Sequence, residues 1–159
     1  MAKKLILWCA VIMWMGLIFA FSAQPATQSD ELSMGLAGKI LDFISGLRDV
    51  PVFSFISDTT FDYLVSISNF CIRKLAHFAI FAVLAILVYN LFVSYDMSCV
   101  RSLVLSALVC LLYAVSDEIH QFFVPGRACQ IRDVVIDFCG SITSLIVTYL
   151  FSRMRKKIS

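Results

Sequence analysis

Charge is scarce in this chain. Charged residues make up 15% of it and hydrophobic residues 60%, with a mean hydropathy of +0.90. A soluble domain is about a quarter charged and about half apolar. A chain of 159 residues cannot hide that apolar excess in its core, because so short a domain leaves much of its surface exposed. An ordinary soluble domain and a disordered chain are therefore excluded. A net charge of +2 is too small to imply a polyanionic partner, so nucleic acid is not expected. Other signatures are missing as well. The six cysteines, Cys9, Cys71, Cys99, Cys110, Cys129 and Cys139, form no CxxC pair, and a structural zinc site needs clustered thiolates. Cys9, Cys110 and Cys139 lie in apolar runs, where a thiol acts as a small hydrophobe. A Cys71–Cys129 disulfide requires both residues to face outward, and the sequence leaves that open. There is no glycine-rich phosphate loop, internal repeat or low-complexity tract, and no serine stands in a nucleophile context. What remains is a membrane protein of one domain, whose chemistry must come from a few polar residues among its helices.

Four apolar stretches can cross about 30 Å of hydrocarbon, which takes roughly 17 to 25 helical residues. They run over about 5–21, 75–93, 103–124 and 134–151, and each must be helical, since lipid offers an open backbone no partner. The fold expected is an all-α, integral membrane four-helix bundle forming a single domain over 1–159. The first stretch starts like a signal peptide, but its apolar run is longer than such segments need and contains Trp8 and Trp14, which suit a permanent helix. In the long connection after it, Thr27 or Ser29 can cap a helix with Asp30 and Glu31 in its first turn. Leu32, Leu36, Ile40, Phe43, Ile44 and Leu47 recur at helical spacing, so Ser29 to Leu47 reads as an amphipathic helix at the interface between spans one and two. Arg48-Asp49-Val50-Pro51 ends it. A second helix starts at Ser57 or Asp58 and can run unbroken into the second span.

Alternation of four spans gathers the polar residues. The end of helix one, the start of two, the end of three and the start of four share one membrane face. Ser22 and Gln24 follow helix one; Arg73, Lys74 and His77 open helix two; Asp117, Glu118, His120 and Gln121 close helix three; Arg127 and Arg132 lie in the next turn; Asp133 and Asp137 open helix four. Asp117 lies about 20 Å along its helix from Leu103, so the group sits at headgroup and upper acyl depth rather than at the midplane. Ionisable residues at such depth are functional candidates by default. For orientation, one face holds Lys3, Lys4, Arg101, Arg153, Arg155, Lys156 and Lys157, and the other Lys39, Arg48, Arg73, Lys74, Arg127 and Arg132. Long loops count little toward orientation, so the compact basic tail decides, with both termini cytoplasmic and the polar cluster facing outward.

Helical spacing sorts the cluster. Asp117, His120 and Gln121 share a face; Arg73 and His77, and Asp133 and Asp137, are each one turn apart; Glu118 points elsewhere. One reading is an ion-pair network that fixes register, with Arg132 on Asp133 or Asp117 and Arg73 on Asp137. The other is a site for an anion: Arg73, Arg127 and Arg132 have the fork geometry that matches phosphate or carboxylate, with Glu118, Gln121 and Asp133 in support. His77, Asp117, His120 and Asp137 are the candidates for proton transfer, since a histidine beside a carboxylate works near neutral pH. A divalent ion on His77, His120 and Asp137 is conceivable from ligand type, but no contiguous ligand motif supports it, and neither metal nor cofactor is expected.

The same residues resemble a family. Arg73-Lys74-Leu75-Ala76-His77-Phe78 is similar to the opening of a VanZ-like helix. Tyr113 to Arg127 resembles that family's long central motif, with Ser116-Asp117-Glu118-Ile119-His120-Gln121 at its heart and Pro125-Gly126-Arg127 at its end. Arg132-Asp133-Val134-Val135-Ile136-Asp137, followed by Gly140, resembles a third element, and Phe21-Ser22-Ala23-Gln24 the residues after the first helix. The resemblance implies a multi-pass bacterial plasma-membrane protein tied to glycopeptide resistance, teicoplanin in particular, and it carries no settled biochemical activity. Two functions follow from it. One is a binding or envelope-modulating protein whose partners are membrane lipids, through an anionic headgroup, or a lipidated glycopeptide. The other is a small intramembrane hydrolase or transferase acting on a lipid-linked cell-wall precursor. The sequence does not determine the oligomeric state.

Overall fold

A computed structural model describes residues 1–27 and 58–158 and, in the connection between them, Glu31, Gly35 and Lys39. The structure is all-α, a bundle of four helices, each long and apolar enough to cross a membrane: α1 (Ala2–Ser22), α2 (Asp58–Val93), α3 (Cys99–Phe122) and α4 (Ile131–Ile158). The expected spans all appear. Helix α2 does run unbroken from Asp58 into its span, α3 stops at Phe122, and α4 carries on through the basic tail. The expected interfacial helix, Ser29 to Leu47, lies outside the described residues apart from Glu31, Gly35 and Lys39, each helical. Cys71 and Cys129 are free, exposed thiols.

Helix α2 is the hub. Phe81, Leu84, Ala85, Val88 and Tyr89 are buried at helical spacing and meet Val11 and Ile18 of α1, Cys110 and Ala114 of α3 and Leu145 of α4. The large apolar residues left exposed, such as Leu5, Ile12, Val104, Leu112, Ile119 and Phe151, face outward, as a lipid-facing surface requires. Helix α3 presents Ser102, Ser106, Cys110 and Ala114, one per turn and all fully buried, so its neighbours approach its backbone closely. The Ser106 hydroxyl donates to the Ser102 carbonyl, which leaves its polar atom satisfied inside its own helix.

Helix α1 buries Val11 and Ile18 in the core and is also fastened by two long-range hydrogen bonds. Trp14 Nε1 donates to the Ile80 carbonyl at 2.8 Å, and the Tyr113 hydroxyl donates to the Met15 carbonyl at 2.6 Å. At its start, Trp8 Nε1 donates to the Tyr95 hydroxyl, and the Lys4 ammonium sits 4.4 Å from the centre of that ring. With α1 anchored to the α2–α3 turn at one end, its other end comes to the face where α3 stops and α4 begins.

Candidate functional site

Helices α2 and α4 run parallel from that face, and their contacts climb as a ladder. Lys74 Nζ meets Asp133 Oδ1 at 2.5 Å. One turn deeper, His77 Nδ1 lies 3.3 Å from Asp137 Oδ1. Next, Gly140 packs against the backbone of Phe78, and the Ser141 hydroxyl donates to the Phe81 carbonyl at 3.3 Å. Small residues at 140 and 141 let the two backbones close, and that approach brings the polar rungs together. The register pairs expected from sequence differ. Asp133 takes Lys74 rather than Arg132, whose Nη2 donates to Gln130 and whose guanidinium lies over the Phe70 ring. Asp137 takes His77. The reason is helix rotation: the face of α2 carrying Lys74 and His77 is the one turned to α4.

The turn after α3 joins two motifs far apart in the chain. Arg127 N donates to the Val124 carbonyl at 3.1 Å, with Pro125 and Gly126 between them and Gly126 at φ +77°. That is a type II turn, which needs glycine at its third position. The turn carries Arg127 back to α1, where Nε donates to the Gln24 carbonyl at 3.0 Å. Ala26 N in turn donates to the Pro125 carbonyl. The segment after α1 is thus fastened to the turn before α4.

Glu118, 1% exposed, fixes the start of α4: its Oε2 accepts the Gln130 N–H at 2.8 Å, just before the helix begins at Ile131. Gln121, 4% exposed, donates from Nε2 to Asp117 Oδ2 at 2.9 Å, the i, i+4 partner that the spacing expects. The buried Ser22 hydroxyl of α1 also lies beside the Asp117 carboxylate. The His120 ring stacks on Phe19 of α1 at 4.2 Å between centroids and lies in the electrostatic surroundings of Asp117, as His77 does.

Two zones result. The outer zone is a cavity of about 310 Å³ whose wall includes Arg73, Lys74, Arg127 and Arg132, together with Gln121, Gln130 and Asp133. One turn deeper, His77, Asp117 and Asp137 each bring a ligating atom to within 4.8 Å of the others. Gln121 belongs to both, since it lines the cavity and holds Asp117. Arg73, Arg127, Arg132, Asp133 and Gln121 thus converge on the cavity, and His77, Asp117 and Asp137 on the deeper cluster. Glu118 braces α4, and His120 packs on α1. Lys74 and Gln130 were not among the candidate site residues read from sequence. Lys74 stands next to Arg73 in the same motif, which was its signal; Gln130 acts through its backbone N–H, which no side-chain pattern reveals.

The VanZ/LLP1 family model matches residues 7–152. Neither a curated relative nor a solved structure matches the chain. The matched stretch takes in all four spans and both zones of the site, and the chain belongs to the VanZ/LLP1 family.

Proposed function

We propose that this protein modulates glycopeptide susceptibility, teicoplanin above all, from the bacterial plasma membrane, by holding an anionic group in the cavity at one end of the bundle. The observation that carries the reading is the cavity wall: four basic side chains, Arg73, Lys74, Arg127 and Arg132, around one opening at one end of the bundle. Guanidinium forks match the oxygens of a phosphate or carboxylate, and they keep their charge in partly buried surroundings. The ligand is an anionic lipid headgroup or a lipidated glycopeptide, whose acyl part stays in the bilayer while its polar part enters the cavity. With the termini in the cytoplasm, as the basic tail after Phe151 favours, the cavity opens outward, where such ligands are presented.

A second reading rests on the deeper cluster. The 3.3 Å approach of His77 to the fully buried Asp137 is the geometry of a histidine oriented by a carboxylate, which supports proton transfer to or from a substrate held above it. In that case the protein is a hydrolase or transferase acting on a lipid-linked cell-wall precursor. Purified protein in nanodiscs, incubated with labelled lipid-linked precursor and, separately, with labelled teicoplanin, distinguishes the two. Saturable binding with the ligand recovered intact supports the first reading, and turnover supports the second. Absence of both, with the bundle folded, overturns the pair.

A further inference from the structure

The deeper cluster presents an electrostatic problem. Asp137 is 0% exposed and Asp117 3%. Among the described residues, neither carboxylate oxygen of Asp137 has a hydrogen-bond partner, nor does His77 Nδ1, although it stands 3.3 Å from Asp137 Oδ1. Taking a carboxylate out of water costs several kcal/mol unless charge and hydrogen bonds are returned to it. Native interiors seldom leave such groups unmet, and each exception calls for an explanation. A simple His77–Asp137 ion pair meets one oxygen of Asp137 and leaves the other without a partner, while the second acid, Asp117, has the neutral Gln121 amide on its Oδ2.

The geometry points to a divalent metal ion held by His77, Asp117 and Asp137. Three donors from three helices, α2, α3 and α4, bring one ligating atom each to within 4.8 Å of one another. On a tetrahedral ion with bonds of about 2.1 Å, ligand atoms stand roughly 3.4 Å apart, a spacing inside the limit that these three donors keep. One imidazole nitrogen with two carboxylates suits zinc or manganese; magnesium and calcium favour all-oxygen sets. Three protein ligands also leave a coordination position open, the arrangement of reactive rather than structural sites. Gln121 supplies the orienting contact that metal-bound carboxylates need, from its amide to Asp117 Oδ2. This ion was not expected from sequence because its ligands share no contiguous motif. Ligand types alone also suggested His120 where the structure brings Asp117, His120 being stacked on Phe19. The proposal does not depend on which anion enters the cavity above.

The test uses the full chain in detergent micelles without a polyhistidine tag, so that His77 and His120 are its only imidazoles. Protein stripped with chelator, reloaded with Zn²⁺ or Mn²⁺ alone and gel-filtered, is expected to retain about one ion per chain by mass spectrometry of the metal, and to melt higher than the stripped form. Asp137→Asn and Asp117→Asn should each cut retention at least about ten-fold, Gln121→Ala should weaken affinity by about 10- to 100-fold, and Asp96→Asn, an exposed acid on the other face, should change nothing. Electron-spin-echo spectra of Mn²⁺ bound to the unmutated chain should show a single histidine nitrogen, which identifies the site even if a variant fails to fold. The proposal is overturned if the unmutated chain retains less than about a tenth of an ion, if Asp137→Asn retains as much as the parent, or if the spectra show no histidine nitrogen.

Discussion

Gly140 lies flush against the backbone of Phe78: a Cβ at position 140 would overlap the Phe78 carbonyl and stand 3.0 Å from its Cα. The contact sits one turn below the His77–Asp137 rung, so it sets how near α2 and α4 come at the polar rungs. Because the obstacle is backbone, it cannot turn aside as a side chain would. Gly140→Ala is expected to force the helices apart and lower stability by about 1–3 kcal/mol. Gly16→Ala, where nothing lies within 4 Å, should be close to neutral. Thermal unfolding of both variants in micelles checks the difference.

Glu118 should behave as a fastening rather than as a reactive acid. Its Oε2 accepts the Gln130 N–H in a part-buried hydrogen bond, and Glu118→Ala removes that acceptor from an exposed residue that water can reach, at a cost of about 0.5–1.5 kcal/mol. Glu118→Gln keeps a carbonyl oxygen of the same reach and should recover most of the loss. Hydrogen exchange at the Gln130 amide gives the readout: fast in the Ala variant, protected in the parent and in the Gln variant.

The positions of the polar residues along the chain were enough to bring them to one membrane face, since Arg73, Asp117 and Asp133 sit at span ends that alternation must gather. Spacing also identified the Asp117–Gln121 pair, because a helix puts i and i+4 side by side. The partners between helices were not legible. Whether Asp133 meets Lys74 or Arg132 depends on how α2 is rotated about its axis, and nothing in the local pattern of either segment states that angle. The stripe Ser102, Ser106, Cys110 and Ala114 was present at a strict spacing of four, but small residues scattered among large apolar ones give little contrast. Glu118 was placed off the Asp117 face, yet its partner is a backbone N–H in a turn, which side-chain types do not announce.

Lys74 and Asp133 join α2 to α4 at the rim of the cavity, with side chains 19% and 15% exposed. A double-mutant cycle with Lys74→Met and Asp133→Asn is expected to give a coupling of about 1 kcal/mol, between the values for exposed pairs and for buried ones. A coupling indistinguishable from zero in the cycle's unfolding free energies would mean that the pair is incidental to the ladder.

Trp14 is one of two residues whose side chains hydrogen-bond α1 to its neighbours near its middle. Trp14→Phe removes the donor to the Ile80 carbonyl while keeping an aromatic ring. Hydrogen bonds between helices in bilayers contribute about 0.6 kcal/mol on average, so the bundle should stay folded. The end of α1 should nevertheless loosen, and with it Ser22 beside Asp117. Cysteine labelling at Ser22→Cys, with the native cysteines replaced by alanine, is expected to be faster in the Trp14→Phe background than with Trp14 in place.

The claim on which the rest depends is that the polar cluster acts, rather than merely holding four helices together. Growth under teicoplanin tests it most directly, in a susceptible bacterium expressing the parent chain or its Asp117→Asn and His77→Gln variants, with membrane abundance followed by immunoblot. These near-isosteric changes keep the packing, whereas deleting one partner of a buried polar pair outright destabilises by about 3–5 kcal/mol. The expected result is protection by the parent and none by Asp117→Asn or His77→Gln at equal abundance. Variants that are as abundant and protect as well as the parent would contradict the account, and the cluster would then be scaffolding.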